Sequence, residues 1–249
     1  MKHKNRNIQG LSMGLMLLAG AMGPQALADD KPAAITPAKL NESWAVEWWE
    51  PRHEEKLEEA RQRDIDVVMI GDSITHGWED AGAEVWDEYY AERNALNLGF
   101  SGDRTENVLW RLQHGAVEGL EPELVVLMIG TNNTGHREEK PEHTALGVET
   151  IIEELQERLP EAPILLLGIF PRGESADDPL RELNRQANKK LETLADGEEV
   201  VYLNINEQFL EEDGDLRTRL MPDLLHPNAR GYRVWAEAME PTLKEMLGR

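Results

Sequence analysis

Five short apolar runs, at 65–70, 95–98, 124–129, 164–169 and 200–203, are separated by stretches of helical periodicity, and this alternation decides what the chain can fold into. The helical patterns lie near 84–93, 104–114, 141–159 and 178–195, with a last one from about 228 to 247. A strand that reaches its neighbour through a helix of such length does so by a right-handed crossover, so the sheet is parallel and helices cover it. The expected fold class is α/β, built on a five-stranded parallel sheet. Val67-Val68-Met69-Ile70 is apolar at every position and mostly β-branched, as a strand buried on both faces has to be.

That first run stops at Gly71-Asp72-Ser73. Open α/β sheets hold their ligands outside the carboxyl ends of the strands, which puts Ser73 where chemistry is expected. A helix beginning just after it would aim free backbone N–H groups at the same place. A serine hydroxyl is a weak nucleophile that needs a base, and the base needs an orienting acid. Met221-Pro222-Asp223-Leu224-Leu225-His226-Pro227-Asn228 offers both within one turn's span, stiffened by a proline on either side. The candidate catalytic residues are therefore Ser73, Asp223 and His226. Two further segments follow apolar runs, Asn97-Leu98-Gly99-Phe100-Ser101-Gly102-Asp103 and Ile129-Gly130-Thr131-Asn132-Asn133. The backbone N–H groups of Ser73 and Gly102 and the side-chain amide of Asn132 are candidate donors to a developing oxyanion. Taken singly, Gly-Asp-Ser also reads as a turn, Gly-Thr-Asn-Asn as a capped helix entrance, and Asp-x-x-His as a surface hydrogen bond.

Gly71-Asp72-Ser73, the Gly102 loop, Gly130-Thr131-Asn132 and Asp223-x-x-His226 stand in the order found in the GDSL or SGNH hydrolases, and the chain resembles that family. It is most similar to the branch containing the catalytic subunits of intracellular platelet-activating factor acetylhydrolase. That likeness rests on Val108-Leu109-Trp110-Arg111-Leu112, Gly130-Thr131-Asn132-Asn133-x-Gly135-His136, Pro171-Arg172-Gly173 and Leu180-Arg181-Glu182-x-Asn184-Arg185. The resemblance implies a flavodoxin-like α/β/α sandwich with strand order 2-1-3-4-5, hydrolysis of a short acyl ester, and no metal or other cofactor. It also assigns the nucleophile, oxyanion, acid and base roles to Ser73, Gly102, Asn132, Asp223 and His226. Residue 75 is Thr, so the nucleophile segment is not the Gly-x-Ser-x-Gly elbow of α/β-hydrolases.

Residues 1–28 read as an export signal: Lys2, Lys4 and Arg6, an apolar run from Leu11 to Met22, and Ala26-Leu27-Ala28 before Asp29. The apolar run falls short of the ~20 residues that span a bilayer. Residues 29–42, with Pro32 and Pro37, read as an extended linker, and 43–249 as one hydrolase domain. There is no cysteine for a disulfide or a lipid anchor. The net charge is −22, from 48 acidic against 26 basic residues, and it becomes −25 once the three leader cations are removed. Such a surface excludes nucleic acid and anionic membrane as partners, because phosphate binding needs clustered cations. With 17 Arg against 9 Lys, the composition also suits a salt-rich habitat. The expected localisation is periplasmic or secreted, with a homodimer left open.

Trp44, Trp48 and Trp49 read as an anchor for the segment entering the domain, in preference to a sugar platform. His53 to Arg63 reads as a charged helix with Leu57 and Ala60 inward, and Tyr232, Trp235, Met239 and Leu243 as the core stripe of the last helix. Asp72 is expected to shape the nucleophile turn, His76 to line the entrance, His136 to support the Asn132 loop, Arg104 to pair structurally and Arg172 to brace its neighbours. None of His76, His114, His136 and His143 has a metal-binding spacing. The function expected is an exported serine esterase for short acyl groups, acetyl above all, carried by a carbohydrate, and the partner expected is a small acylated substrate, an acetylated sugar or a lipid. The alternatives are a lysophospholipase or thioesterase for longer chains and a non-catalytic carbohydrate-binding protein with Trp44, Trp48, Trp49 and Trp78 as its platform. A flavin or nucleotide binder lacks its phosphate-cradling glycine loop.

Overall fold

The computed structural model describes Met1 and residues 31–248. The expected export signal, apart from Met1, and the first residues of the expected linker lie outside them. Five parallel strands form one sheet: β1 (Val67–Gly71), β2 (Ala95–Gly99), β3 (Leu124–Met128), β4 (Ile164–Leu167) and β5 (Val200–Leu203), in the order β2-β1-β3-β4-β5. The order reverses direction at β1, and a crevice opens beside such a strand. Gly71 pairs with Gly99 on one side and Met128 on the other, so β2, β1 and β3 end level and their loops start at one height.

Eight helices accompany the sheet among the described residues: α1 (Trp49–Gln62), α2 (Ser73–His76), α3 (Ala83–Tyr89), α4 (Thr105–Gln113), α5 (Thr131–Arg137), α6 (Pro141–Arg158), α7 (Pro179–Leu191) and α8 (Ala229–Met246). Alternate strand residues face opposite ways. Val68 and Ile70 pack with Val108, Leu112, Val148, Ile151, Ala187 and Leu191 of α4, α6 and α7, while Val67 and Met69 pack with Val85, Trp235 and Met239 of α3 and α8. Both faces are thus buried, each large apolar side chain contributing about 1.5–3 kcal/mol. The α8 stripe expected from the sequence is buried throughout. No helix of the described residues is long and apolar enough to cross a membrane.

Three elements differ from the sequence reading. Residues 31–42 do not hang free as a linker: Ala34 and Leu40 are buried, Thr105 Oγ1 donates to the Ala34 carbonyl (2.8 Å), and Asn107 Nδ2 donates to that of Ala38 (2.9 Å). Polar side chains opening α4 capture the carbonyls of a proline-bearing segment that has no periodicity of its own. In α1 the buried side chains are Trp49, His53 and Lys56, with Leu57 and Ala60 only half-buried. Burial pushes the His53 imidazole down to about 4, so it stays neutral, and Lys56 pairs with Glu59 (2.7 Å) and Glu79 (2.9 Å). Finally, Asn132 lies in the first turn of α5, a helix without apolar periodicity that begins after Gly130 at φ 130°.

Candidate active site

The nucleophile turn is shaped by its neighbours. Gly71 is required by packing, because a methyl group there would overlap the Thr75 side chain and the Met128 carbonyl. Asp72 is buried and accepts from the Ile74 N–H (3.0 Å), capping α2 at Ser73 as expected. Burial pushes the Asp72 carboxyl up to about 7. Two side chains from elsewhere hold the carbonyls of the short helix: Tyr232 Oη donates to Ile74 O (2.7 Å) and Asn97 Nδ2 to Thr75 O (3.0 Å).

Ser73 Oγ lies 2.8 Å from His226 Nε2, and His226 Nδ1 lies 2.6 Å from Asp223 Oδ2. A carboxylate can only accept, so the imidazole proton sits on Nδ1 and Nε2 is free to accept from the serine. The other Asp223 oxygen, Oδ1, accepts from the backbone N–H groups of Leu225 (3.0 Å) and His226 (2.7 Å). This closes a tight turn over Leu224, which takes the left-handed conformation at φ 66°. Asn228 secures the far side, donating from Nδ2 to Arg219 O (2.9 Å) while its Oδ1 caps α8. Partial burial would raise the Asp223 carboxyl, but the N–H groups and imidazole of His226 outweigh it and hold the group below the usual carboxylate range. The pair is open to solvent, the Asp223 side chain being 55% exposed and that of His226 39%.

The loop after β2 is built around Asp103, which is buried. Its Oδ1 accepts from Trp49 Nε1 (2.6 Å) and its Oδ2 from Arg111 Nε (2.9 Å), whose guanidinium lies 4.0 Å above the Phe100 ring. Gly102 adopts φ 83°, open to glycine. Asn132 Nδ2 donates one proton to Asp103 O (3.0 Å), which ties α5 to this loop and leaves the second amide proton for another acceptor. Arg172 Nη1 donates to Thr131 O (2.9 Å), so it braces α5 as expected. His136 is in the last turn of α5, its Nδ1 3.5 Å from Arg104 Nη1, and Arg104 pairs with Glu106 (2.9 Å) and Glu42 (3.3 Å).

His76 joins the two halves. Its Nδ1 accepts from the Ser101 N–H (3.3 Å) and lies 3.0 Å from Ser101 Oγ, and burial, helped by Arg52, pushes the imidazole down to about 4. A cleft of about 460 Å³ opens in front of Ser73, lined also by His76, Glu79, Asp80, Ser101 and His226. Ser73, His226 and Asp223 therefore form one hydrogen-bonded series, and the Asn132 amide is tied to the loop that carries Gly102 and Asp103. The supporting roles of Tyr232, Arg111 and Trp49 carry no local signal in the sequence. Of the four tryptophans considered as a platform, Trp49 and Trp78 are buried and cannot serve, whereas Trp44 is 51% exposed.

A serine, an imidazole and a carboxylate in series at the strand ends of a doubly wound sheet can carry out acyl transfer by way of a covalent serine ester. The chain belongs to the GDSL-like lipase/acylhydrolase family, whose profile matches residues 69–234, and it is an ester-hydrolysing enzyme. It is 34% identical over 202 residues to the human platelet-activating factor acetylhydrolase IB subunit alpha1, covering 81% of this chain and 85% of that one. Among solved structures, a GDSL-like lipase from Bacteroides thetaiotaomicron superposes with a TM-score of 0.64 at 19% identity, covering 78% of this chain and 97% of the other. An acetylxylan esterase from Geobacillus stearothermophilus does so with a TM-score of 0.57 at 18% identity, covering 74% and 94%.

Proposed function

We propose that the chain is an exported serine esterase that removes acetyl groups from a carbohydrate, with Ser73 as nucleophile, His226 as base and Asp223 as orienting acid. The observation that carries this reading is the 2.8 Å approach of Ser73 Oγ to an imidazole whose other nitrogen is fixed by a carboxylate. As Ser73 attacks the ester carbonyl, its proton passes to His226 Nε2, and Asp223 steadies the imidazolium. The Ser73 and Gly102 N–H groups and the free Asn132 amide proton receive the oxyanion. The proton then leaves with the alcohol, and water, deprotonated by His226, releases acetate from the acyl-serine. Losing the Asn132 donor should cost about 10²–10³ in kcat.

Acetyl is supported by Glu79, Asp80 and Ser101 in the wall of the cleft, against which a long acyl chain would have to lie. The acetylhydrolase subunits and the acetylxylan esterase are both named for acetyl, the first on a lipid and the second on a polysaccharide. A sugar suits the acidic, polar surroundings and an exported location, for which the leader at 1–28 is the support. Initial rates on p-nitrophenyl acetate, butyrate and octanoate, with Ser73→Ala as the blank, test the reading. Acetate is expected to be the fastest and to fall by at least about 10⁴-fold in the variant. A preference for octanoate would move the assignment to lipid or thioester substrates, and turnover that survives Ser73→Ala would remove the mechanism. Cell fractionation with amino-terminal sequencing should find the chain outside the cytoplasm and reading from Asp29; a chain that keeps its leader and stays in the cytoplasm would remove export.

A further inference from the structure

Among the described residues of the domain body, the large apolar side chains classed as exposed are Trp44 and Val46, two positions apart on the turn that leads into α1. Exposed apolar area concentrated at one spot of an otherwise charged surface marks a contact site. The turn is fixed rather than loose: Ala45 is buried, its carbonyl accepts from the Trp48 and Trp49 N–H groups, and Trp48 Nε1 donates to the Trp44 carbonyl (3.1 Å). The Trp44 and Trp48 rings stack at 6.2 Å and 27°, and Trp48 lies 5.9 Å from His76, which lines the Ser73 cleft. Trp44 also rests on the loop bearing an oxyanion donor, since a methyl group on Gly102 would overlap its ring. An aromatic strip thus runs from the surface to the mouth of the cleft.

We propose that Trp44 and Trp48 form a sugar-binding platform that takes one pyranose ring of the substrate and presents a neighbouring acetyl group to Ser73. This inference rests on the carbohydrate-esterase reading and names the site that would make the enzyme selective for it. A pyranose has an apolar C–H face and a rim of hydroxyls, so it needs a flat aromatic surface edged by groups that both donate and accept hydrogen bonds. Two residues before Trp44, the Glu42 carboxylate pairs with Arg104 (3.3 Å), whose guanidinium reaches toward His136 (3.5 Å). The Gly102 loop on which Trp44 rests is thus followed by a guanidinium joined to the Glu42 carboxylate and near the His136 imidazole of α5. A lipid chain would need a continuous apolar groove, and the cleft beyond the platform turns to Glu79, Asp80 and Ser101.

The test separates binding from turnover. With the full chain carrying Ser73→Ala, titrations of xylotriose and cellotriose followed by tryptophan fluorescence and calorimetry should show saturable binding. Adding Trp44→Ala should weaken it at least tenfold, and Trp44→Phe should keep it within a few-fold of the parent. Near-ultraviolet circular dichroism should report an intact fold in each variant. No saturable binding of either trisaccharide, or binding indifferent to Trp44→Ala while Trp44→Phe is folded, overturns the platform. Trp44-dependent binding of dodecylphosphocholine in place of the sugars also overturns it, in favour of a lipid. These outcomes are independent of p-nitrophenyl acetate turnover, so loss of the platform and loss of the esterase reading are told apart.

Discussion

Two aspartates flank the reacting groups and are driven in opposite directions. Asp223 is on the surface, accepts two backbone N–H groups and the imidazole, and is held ionised below the usual range. Asp72, next to Ser73 in sequence, is fully buried with one N–H donor, and burial pushes its carboxyl up to about 7. Stability follows from the second shift. The ordinary value is 3.8, so between about 4 and 7 the folded state binds a proton at Asp72 that the unfolded state has released. Its contribution is then whole below about pH 4 and is lost as pH rises through 7, by no more than about 4 kcal/mol at 1.36 kcal/mol per pH unit. Asp72→Asn keeps the acceptor for Ile74 and removes the charge. Urea unfolding of both proteins from pH 4 to 8 should show the variant gaining on the parent as pH rises. A stability difference that stays flat across that range would place the Asp72 carboxyl near its ordinary value.

At the scale of elements, the Gly102 loop depends on one buried ion pair. Arg111 of α4 and Asp103 are both withdrawn from water, with Nη2 and Oδ2 2.9 Å apart, and burial pushes the Asp103 carboxyl up to about 6 even against that guanidinium. Removing one partner strands the other. Arg111→Met should therefore cost about 3–5 kcal/mol and lower kcat, because the Asp103 carbonyl positions Asn132. The double variant Asp103→Asn/Arg111→Met leaves no stranded charge and retains an acceptor for Trp49, so it should recover most of the loss in a chemical-denaturation cycle. Additive losses would mean that the two side chains act separately. Strands and long helices were legible in the sequence because each shows its own period, and Ser73, Asp223 and His226 because each stands in a short punctuated segment. The pair between Trp49 and Asp103 spans 54 residues and that between Tyr232 and Ile74 spans 158, so no local pattern could reveal them. His53 and Lys56 look like surface residues until the packing around them is known, and α5 has no apolar stripe to announce it.

The whole molecule carries 48 acidic against 26 basic side chains, so at least 22 carboxylates have no cation to pair with even if every base takes one. Most of that charge has to lie on the surface, because the interior is the apolar pair of layers about the sheet and only a few ionic groups lie within it. Repulsion among surface charges reaches about 10 Å at 0.1 M salt and about 3 Å at 1 M. Salt also weakens the exposed pairs, such as Arg233 with Glu88 (2.7 Å), but each of these is worth only about 0–1 kcal/mol, while Arg111 with Asp103 is shielded from solvent. Repulsion therefore dominates the response, and the thermal midpoint should rise with NaCl, by about 2–4 °C for each kcal/mol of repulsion removed. Screening acts mainly at the low end, so the rise should be steep below about 0.5 M and level off as the Debye length falls within the spacing of neighbouring charges. A general stabilisation of apolar burial by salt would instead climb steadily to the highest concentrations. Melting curves from 0.05 to 2 M NaCl distinguish the two. A midpoint that falls or stays flat below 0.5 M would mean that paired charges, and not the acidic excess, set the stability of this domain.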